Sequence, residues 1–248
     1  MNPDILRSGH SALFLDVDGT LIDFAPSPND VVVPSGLVED IASLERSLGG
    51  ATALVSGRTI EDLDHLFQPL RLRASGVHGA ETRYDPSEPV PQVENAGKLS
   101  PGLWASVTDA LAAFPGTFAE NKRYSFAIHY RSAPHLGPRL LTMLRELVNA
   151  RGDELQIFEA HCAFEIKGGN FDKGLAIERF LNRAPFAGRV PVFIGDDWTD
   201  ESGFAAVVRG GGTAYSVGEA RPHVSGVFSG PATVREWLRR AAREMAIS

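Results

Sequence analysis

Leu13-Phe-Leu-Asp-Val-Asp-Gly-Thr-Leu21 is the stretch on which the fold turns. An apolar run from Ala12 to Leu15 leads into Asp16 and Asp18, with Val17 between the acids and Gly19-Thr20 directly after them. A short apolar run ended by a glycine reads as a buried strand that stops where the carboxylates begin. In an open parallel α/β sheet that end is the carboxyl edge, where ligands bind. Unpaired carboxylates are too costly to bury, so acids in that position hold a metal, do chemistry, or both.

The same arrangement recurs along the chain. Ala51 to Val55 is a second apolar run, followed at once by Ser56-Gly57-Arg58, and Thr59 is placed to cap a helix running to about Phe67. Residues 71–84 carry a third strand region, broken by Gly76-Val-His-Gly-Ala-Glu81. Val190 to Ile194 ends in Gly195-Asp196-Asp197-Trp198-Thr199-Asp200-Glu201. Helices fill the intervals: Leu37, Ile41, Leu44 and Leu48 share one face, and Asp172-Lys173-Gly174 opens a second helix through Leu175, Ile177, Phe180 and Leu181. Thr213 to Val217 reads as a further strand, and Pro231 starts a last helix through Val234, Trp237 and Leu238. Pro26, Pro28 and Pro34 argue against a helix in residues 17–34. The pattern predicts a doubly wound, mostly parallel, Rossmann-like α/β sheet. Its carboxyl edge would gather Asp16 and Asp18, Ser56-Gly57-Arg58, His78-Gly79, and Asp196, Asp197 and Asp200.

A different texture interrupts this core. Pro86, Pro89 and Pro91 mark a linker, and a helix over roughly 100–113 precedes Pro115-Gly116. Tyr124, Phe126, Ile128 and Tyr130 then alternate with Ser125, Ala127, His129 and Arg131, a strand with one apolar and one polar face. Leu136, Leu140, Leu141, Leu144, Leu147 and Val148 make an amphipathic helix, and Leu155 to Phe158 and Ala163 to Ile166 read as short strands. We therefore expect a core formed by residues 1–97 and 166–248, with a smaller α/β cap inserted at 98–165. Were the Tyr124 strand to run unbroken back to Glu120, Glu120 and Lys122 would share its apolar parity, so a turn or bulge is expected near Arg123.

The bulk properties bound the function. The 248 residues are 43% hydrophobic and 22% charged, enough for a sizeable core. A net charge of −7 argues against a broad nucleic-acid footprint. The single cysteine, Cys162, rules out an intramolecular disulfide and fits a reducing compartment. No apolar run approaches a membrane span, and Met1 to His10 lacks the pattern of a signal peptide. The expectation is a cytoplasmic protein, monomeric, whose partner is a small molecule rather than nucleic acid or membrane.

Charge also dictates the cofactor. Two carboxylates about 4 Å apart repel by roughly 4 kcal/mol at an effective dielectric of about 20. Bringing Asp16, Asp18 and Asp196 together needs a cation, and all-oxygen ligation suits magnesium. An anionic substrate would meet that cation and a lysine. No Gly-x-x-x-x-Gly-Lys-Ser/Thr pattern occurs, which disfavours a P-loop nucleotide enzyme.

The Asp16-Val-Asp-Gly-Thr20 stretch resembles the nucleophile motif of the haloacid dehalogenase (HAD) superfamily of phosphohydrolases. The resemblance narrows with Ser56-Gly-Arg58, Gly76-Val-His-Gly-Ala-Glu81, Glu120-Asn-Lys122, His129-Tyr-Arg131, Glu165-Ile-Lys167, Asp172-Lys-Gly174 and Gly195-Asp-Asp-Trp-Thr-Asp-Glu201, in that order. Together they look like the trehalose-6-phosphate phosphatase family. The family favours a proline after the position of Lys167, where this chain has Gly168.

The resemblance implies an aspartyl-phosphate reaction with Asp16 as nucleophile and Asp18 as general acid and base. It implies that Ser56 bonds the phosphoryl oxygens and Lys173 neutralises them. Lys167 competes for the lysine role, and Lys173 is preferred because a glycine and a clear helix follow it. Magnesium falls to Asp16, Asp18 and Asp196; Asp197 and Asp200 bind it directly or through water or orient the site, unless one of them serves only to cap the helix that begins near Trp198. Gly57, Arg58, His78, Glu120, Lys122, His129, Arg131 and Glu165 fall to the substrate. The alternatives are another sugar phosphatase of the superfamily (sucrose, mannosylglycerate or hexose phosphate), a phosphomutase, or a catalytically silent sugar-phosphate binder.

Overall fold

A computed structural model describes residues 5–25, 30–93, 99–122, 124–150, 155–160, 162–169 and 171–247. The chain divides into two compact units, Met1–Gln92 with Asp172–Ser248, and Val93–Phe171. Both junctions differ from the sequence expectation. The second lies beyond residue 166 because the strand that starts at Ala163 runs on to Gly168 and stays paired along its length. Residues 97 and 98, the expected first junction, lie outside the described residues, as do Pro26, Pro28 and Arg123.

The first unit is built on β1 (Ser11–Leu15), α1 (Leu37–Ser47), β2 (Thr52–Val55), α2 (Ile60–Leu66), β3 (Arg73–Gly76), β4 (Glu81–Arg83) and β5 (Gln92–Val93, at the junction). With β10 (Val190–Gly195), β11 (Thr213–Val217) and β12 (Gly226–Phe228), the sheet order is β12-β11-β10-β1-β2-β3-β4-β5, parallel from β12 through β3, with β4 antiparallel to β3. The second unit supplies α3 (Pro101–Leu111), β6 (Phe118–Asn121), β7 (Ser125–His129), α4 (Gly137–Asn149), β8 (Leu155–Ala160) and β9 (Ala163–Gly168), with sheet order β6-β7-β9-β8, all antiparallel. The chain re-enters the first unit for α5 (Lys173–Leu181), β10 (Val190–Gly195), α6 (Glu201–Arg209), β11 (Thr213–Val217), β12 (Gly226–Phe228) and α7 (Pro231–Met245).

β1 is fully buried because it lies between β2 and β10 with helices packed on the sheet; Leu13, Phe14 and Leu15 are completely inaccessible. Covering both faces explains why it reads as a continuous apolar run without alternation. The strand order reverses at β1: the chain first builds outward through β2 and β3, then returns to add β10 on the other side. That reversal is the crevice where open α/β sheets bind ligands. Register fixes what meets there, since Leu15 pairs with Ile194 and the residues that follow are Asp16 and Gly195-Asp196. Among the described residues no helix is long and apolar enough to cross a membrane.

In the second unit, Phe126, Ile128, Phe164 and Ile166 join Leu103, Val107, Leu140 and Leu144 in a separate core. The opposite sheet face is drier than its polar composition predicts. Ser125, Ala127, Glu165 and Lys167 are all buried there. The Lys167 ammonium lies 4.0 Å from the Phe158 ring centre and 4.6 Å from that of Phe171. β6 and β7 form a hairpin in which Glu120 pairs with Ala127, so Glu120 sits on this face rather than on the apolar one.

Candidate active site

The carboxyl ends of β1 and β10 bring the central acids together. Oxygens of Asp16, Asp196 and Asp200 lie within 4.8 Å of one another. Asp16 follows the last residue of β1 and its N–H donates to Ile194 O at 3.0 Å, which ties it to β10. Gly19 turns the chain there with φ 75°, and a Cβ on it would stand 2.2 Å from Asp196 Oδ2. Only glycine allows Asp196 into that space. Thr20 is buried, and its hydroxyl lies 3.4 Å from both Asp16 Oδ2 and Asp196 Oδ1.

Lys173 opens α5 after Asp172, whose carboxylate accepts the Leu175 N–H at 2.8 Å and caps the helix. The ammonium reaches Asp16 Oδ1 at 2.7 Å and Asp200 Oδ1 at 2.6 Å, with all three side chains buried. Burial alone would lower the lysine pKa. The attraction of Asp16 and Asp200 and the two hydrogen bonds outweigh it, and the ammonium is held above its ordinary value. Asp196 moves the other way from an ordinary acid: burial, then the negative charges of Asp16 and Asp200, push its carboxyl well up. Asp200 is also raised, chiefly by burial, while Lys173 and the N–H bond from Asp197 oppose the shift. One ammonium does not neutralise three crowded carboxylates. The all-oxygen donor set and the raised acids fit a hard divalent cation.

The remaining expected residues divide into groups. Ser56 is buried at the end of β2, its Oγ accepting the Arg58 N–H at 3.2 Å. Asp18 stands apart from the three clustered acids, its carboxylate gripped by Arg58 through two bonds of 2.7 Å. Asp197 does not join the cluster either; it caps the turn at Trp198–Asp200, accepting from Trp198 N at 2.6 Å. Asp200 accepts the N–H groups of Asp196 and Asp197 at 3.1 and 3.0 Å and so shapes the acidic loop as well as touching Lys173. Gly57 carries the His78 imidazole against its Cα, where a Cβ would meet Nε2 at 2.6 Å. Lys167 is directed elsewhere within the second unit, onto Phe171 O at 2.6 Å.

Glu120, His129 and Glu165 share one face of the second sheet, Glu120 and Glu165 lying in a single cross-strand row through Ala127. His129 Nε2 meets Glu120 Oε2 at 2.9 Å, and the Phe118 ring stacks on His129 at 4.6 Å. Lys122 lies in the hairpin that follows, and Arg131 is exposed beyond the end of β7. Two participants escaped the sequence reading. Thr20 stood inside the quoted motif without an assigned role. Glu81 also lay in a quoted motif; its carboxylate is buried and accepts the Ile60 N–H at 3.1 Å.

A buried acid that ends the central strand, a lysine from a helix N-terminus, a serine from the neighbouring strand and acids across the switch point meet on a fold shared with a HAD-superfamily phosphatase of Bacteroides thetaiotaomicron, which superposes with a TM-score of 0.61 at 14% identity, covering 96% of each chain. The comparisons with known proteins carry this further. The family model for trehalose-phosphatase matches residues 14–227. The trehalose-6-phosphate phosphatase of Escherichia coli K12 is 38% identical over 231 residues, covering 93% of this chain and 86% of that protein. A probable trehalose-phosphate phosphatase of Sinorhizobium fredii is 38% identical over 236 residues, covering 95% and 88%. The structure of the C-terminal domain of the Candida albicans trehalose-6-phosphate phosphatase superposes with a TM-score of 0.81 at 20% identity, covering 95% of this chain and 93% of that one. The chain belongs to the trehalose-phosphatase family, and it is a phosphatase.

Proposed function

We propose that this phosphatase hydrolyses trehalose 6-phosphate to trehalose and phosphate through an aspartyl phosphate on Asp16. The observation that carries the chemistry is the buried Asp16 carboxylate held 2.7 Å from the Lys173 ammonium at the switch point of the sheet. The substrate follows from the family and from the names of the relatives in E. coli and S. fredii.

Asp16 attacks phosphorus and forms an acyl phosphate as the bond to the sugar oxygen breaks. Asp18 gives the departing oxygen a proton. It then takes one from the water that attacks the acyl phosphate and returns Asp16 to its starting state. Ser56 and Lys173 bond the phosphoryl oxygens, the lysine with a charge that stays on at neutral pH. Asp16, Asp196 and Asp200 would hold magnesium, and the cation supplies charge neutralisation to the phosphoryl group. We assign recognition of the sugar to Glu120, Lys122, His129, Arg131 and Glu165, whose acceptors and donors suit a ring of hydroxyls.

The test is phosphate release from trehalose 6-phosphate, sucrose 6-phosphate, glucose 6-phosphate and 4-nitrophenyl phosphate, with magnesium or chelator and with Asp16→Asn as the blank. Magnesium-dependent preference for the trehalose ester supports the whole reading. Turnover of the aryl ester alone keeps the chemistry and removes the substrate. No turnover by folded, metal-loaded protein removes both.

A further inference from the structure

The segment Gly76–Glu81 is strained and tightly held. Val77 and His78 both adopt positive φ, 46° and 53°, and Gly79 follows at 110°. For a β-branched valine this is a genuine outlier, and such strain persists only where surrounding contacts enforce it. The contacts fall on two sides. Toward β2, the Val77 N–H donates to Arg58 O and the His78 N–H to Ser56 O, both at 2.9 Å. The Glu81 carboxylate accepts from Ile60 N, its own carbonyl accepts from Ser75 Oγ at 3.0 Å, and the His78 ring lies on Gly57. A Cβ on Gly76 would stand 2.7 Å from Arg58 O. Toward α5, a Cβ on Gly79 would stand 2.5 Å from Asp172 O, and Arg179 Nη1 donates to Gly79 O at 3.1 Å. One short segment thus touches the loop that carries Ser56 and Arg58 and the residue next to Lys173.

We propose that Gly76–Glu81 is a positioning wedge that acts on the reaction through Arg58, which aims the Asp18 carboxylate, rather than by contact with the sugar. This rests on the reading of Asp18 as general acid and base: with both oxygens accepting from Arg58 the carboxylate is the form that takes a proton from water, and one of the two Arg58 bonds opens in the form that gives a proton to the sugar oxygen. Every residue from Ser56 to Arg58 has its backbone or Cα fixed by the wedge, directly or through Gly57. Arg58 in turn has a planar fork matched to Asp18 with two equal bonds, which a lysine could not reproduce. A displacement of about 1 Å at a catalytic group can cost roughly 10²-fold in rate.

The test compares wild type, R58A, E81A, E81Q and R58A/E81A on trehalose 6-phosphate and 4-nitrophenyl phosphate. A sugar alkoxide needs a proton to leave, whereas nitrophenolate does not. R58A should therefore lower kcat on the sugar ester by about 10²-fold with KM unchanged, while a first-turnover burst of nitrophenolate survives. E81A should lower kcat in the same sense, E81Q should recover most of the loss because its amide oxygen still accepts from Ile60 N, and E81A should add little to R58A. Where E81A fails to fold, H78A, which trims only the ring lying on Gly57, carries the same cycle against R58A.

A rise in KM on both esters with kcat kept would overturn the proposal and give Arg58 to the substrate. Losses that multiply in the double variant would also overturn it, because the wedge would then act independently of Arg58. A wild type silent on the trehalose ester but active on the aryl ester refutes the proposed substrate alone. The wedge is then judged on the aryl burst and on hydrolysis of the aspartyl phosphate.

Discussion

Replacing Lys173 by methionine keeps most of the side-chain volume and deletes the ammonium between Asp16 and Asp200. The three side chains are 3%, 5% and 0% exposed, so solvent cannot substitute for the lost charge. Removing one partner of a buried ion pair costs about 3–5 kcal/mol. In a chain of this length each kcal/mol moves Tm by about 2–4 °C, so K173M should melt roughly 10 °C lower. The acids relax by taking up protons. A carboxyl whose folded pKa is raised destabilises the protein at high pH and is relieved as pH falls, because the folded state then binds more protons than the unfolded one. The deficit of K173M should therefore be larger at pH 8 than at pH 5, and K173M/D16N, which removes one of the repelling charges, should be more stable than K173M. Thermal melts of metal-free protein followed by circular dichroism read the first, and urea unfolding reads the other two. A K173M deficit below about 1 kcal/mol at pH 8, or no difference between the two pH values, refutes the account of this lysine as the counter-charge of the cluster.

Other outcomes follow from the same geometry. Metal-free wild type should lose stability as pH rises above the ordinary carboxylate range, since Asp196 and Asp200 are both raised, and magnesium should flatten that slope in thermal melts. G19A should abolish turnover and weaken magnesium binding in calorimetry, because its Cβ would overlap Asp196; ordinary magnesium affinity in this variant would contradict that crowding. E120A should lower kcat/KM on trehalose 6-phosphate by about tenfold and leave 4-nitrophenyl phosphate nearly unchanged, whereas equal losses on both would speak against a role in sugar recognition.

The readable parts were those where local chemistry and sequence spacing coincide. β1 and β10 announced themselves because strands buried on both faces must be apolar throughout. The helix start at Thr59 was visible because an oxygen-bearing cap has to precede the free N–H groups; Ser100 and Asp172 cap two further helices in the same way. β6 and β12 were missed. Phe-Ala-Glu-Asn has no β-branched residue and Gly-Val-Phe is only three residues long, so each is a strand only because a neighbour completes its ladder.

The sequence by itself determined which residue types carry the chemistry and that they end successive strands. It could not say which acids meet. Asp16, Asp196 and Asp200 cluster because parallel pairing of β1 with β10 sets Leu15 beside Ile194, a contact between residues far apart in the chain. The turn that Asp197 caps is local, whereas Asp18 is turned to Arg58 by hydrogen bonds that form only after β1 and β2 pair. The same holds for Glu81, whose motif was legible while its partner, the Ile60 N–H, was not. Side-chain identity is local information. The distance between two charges is set by register and packing, and those exist only in the folded chain.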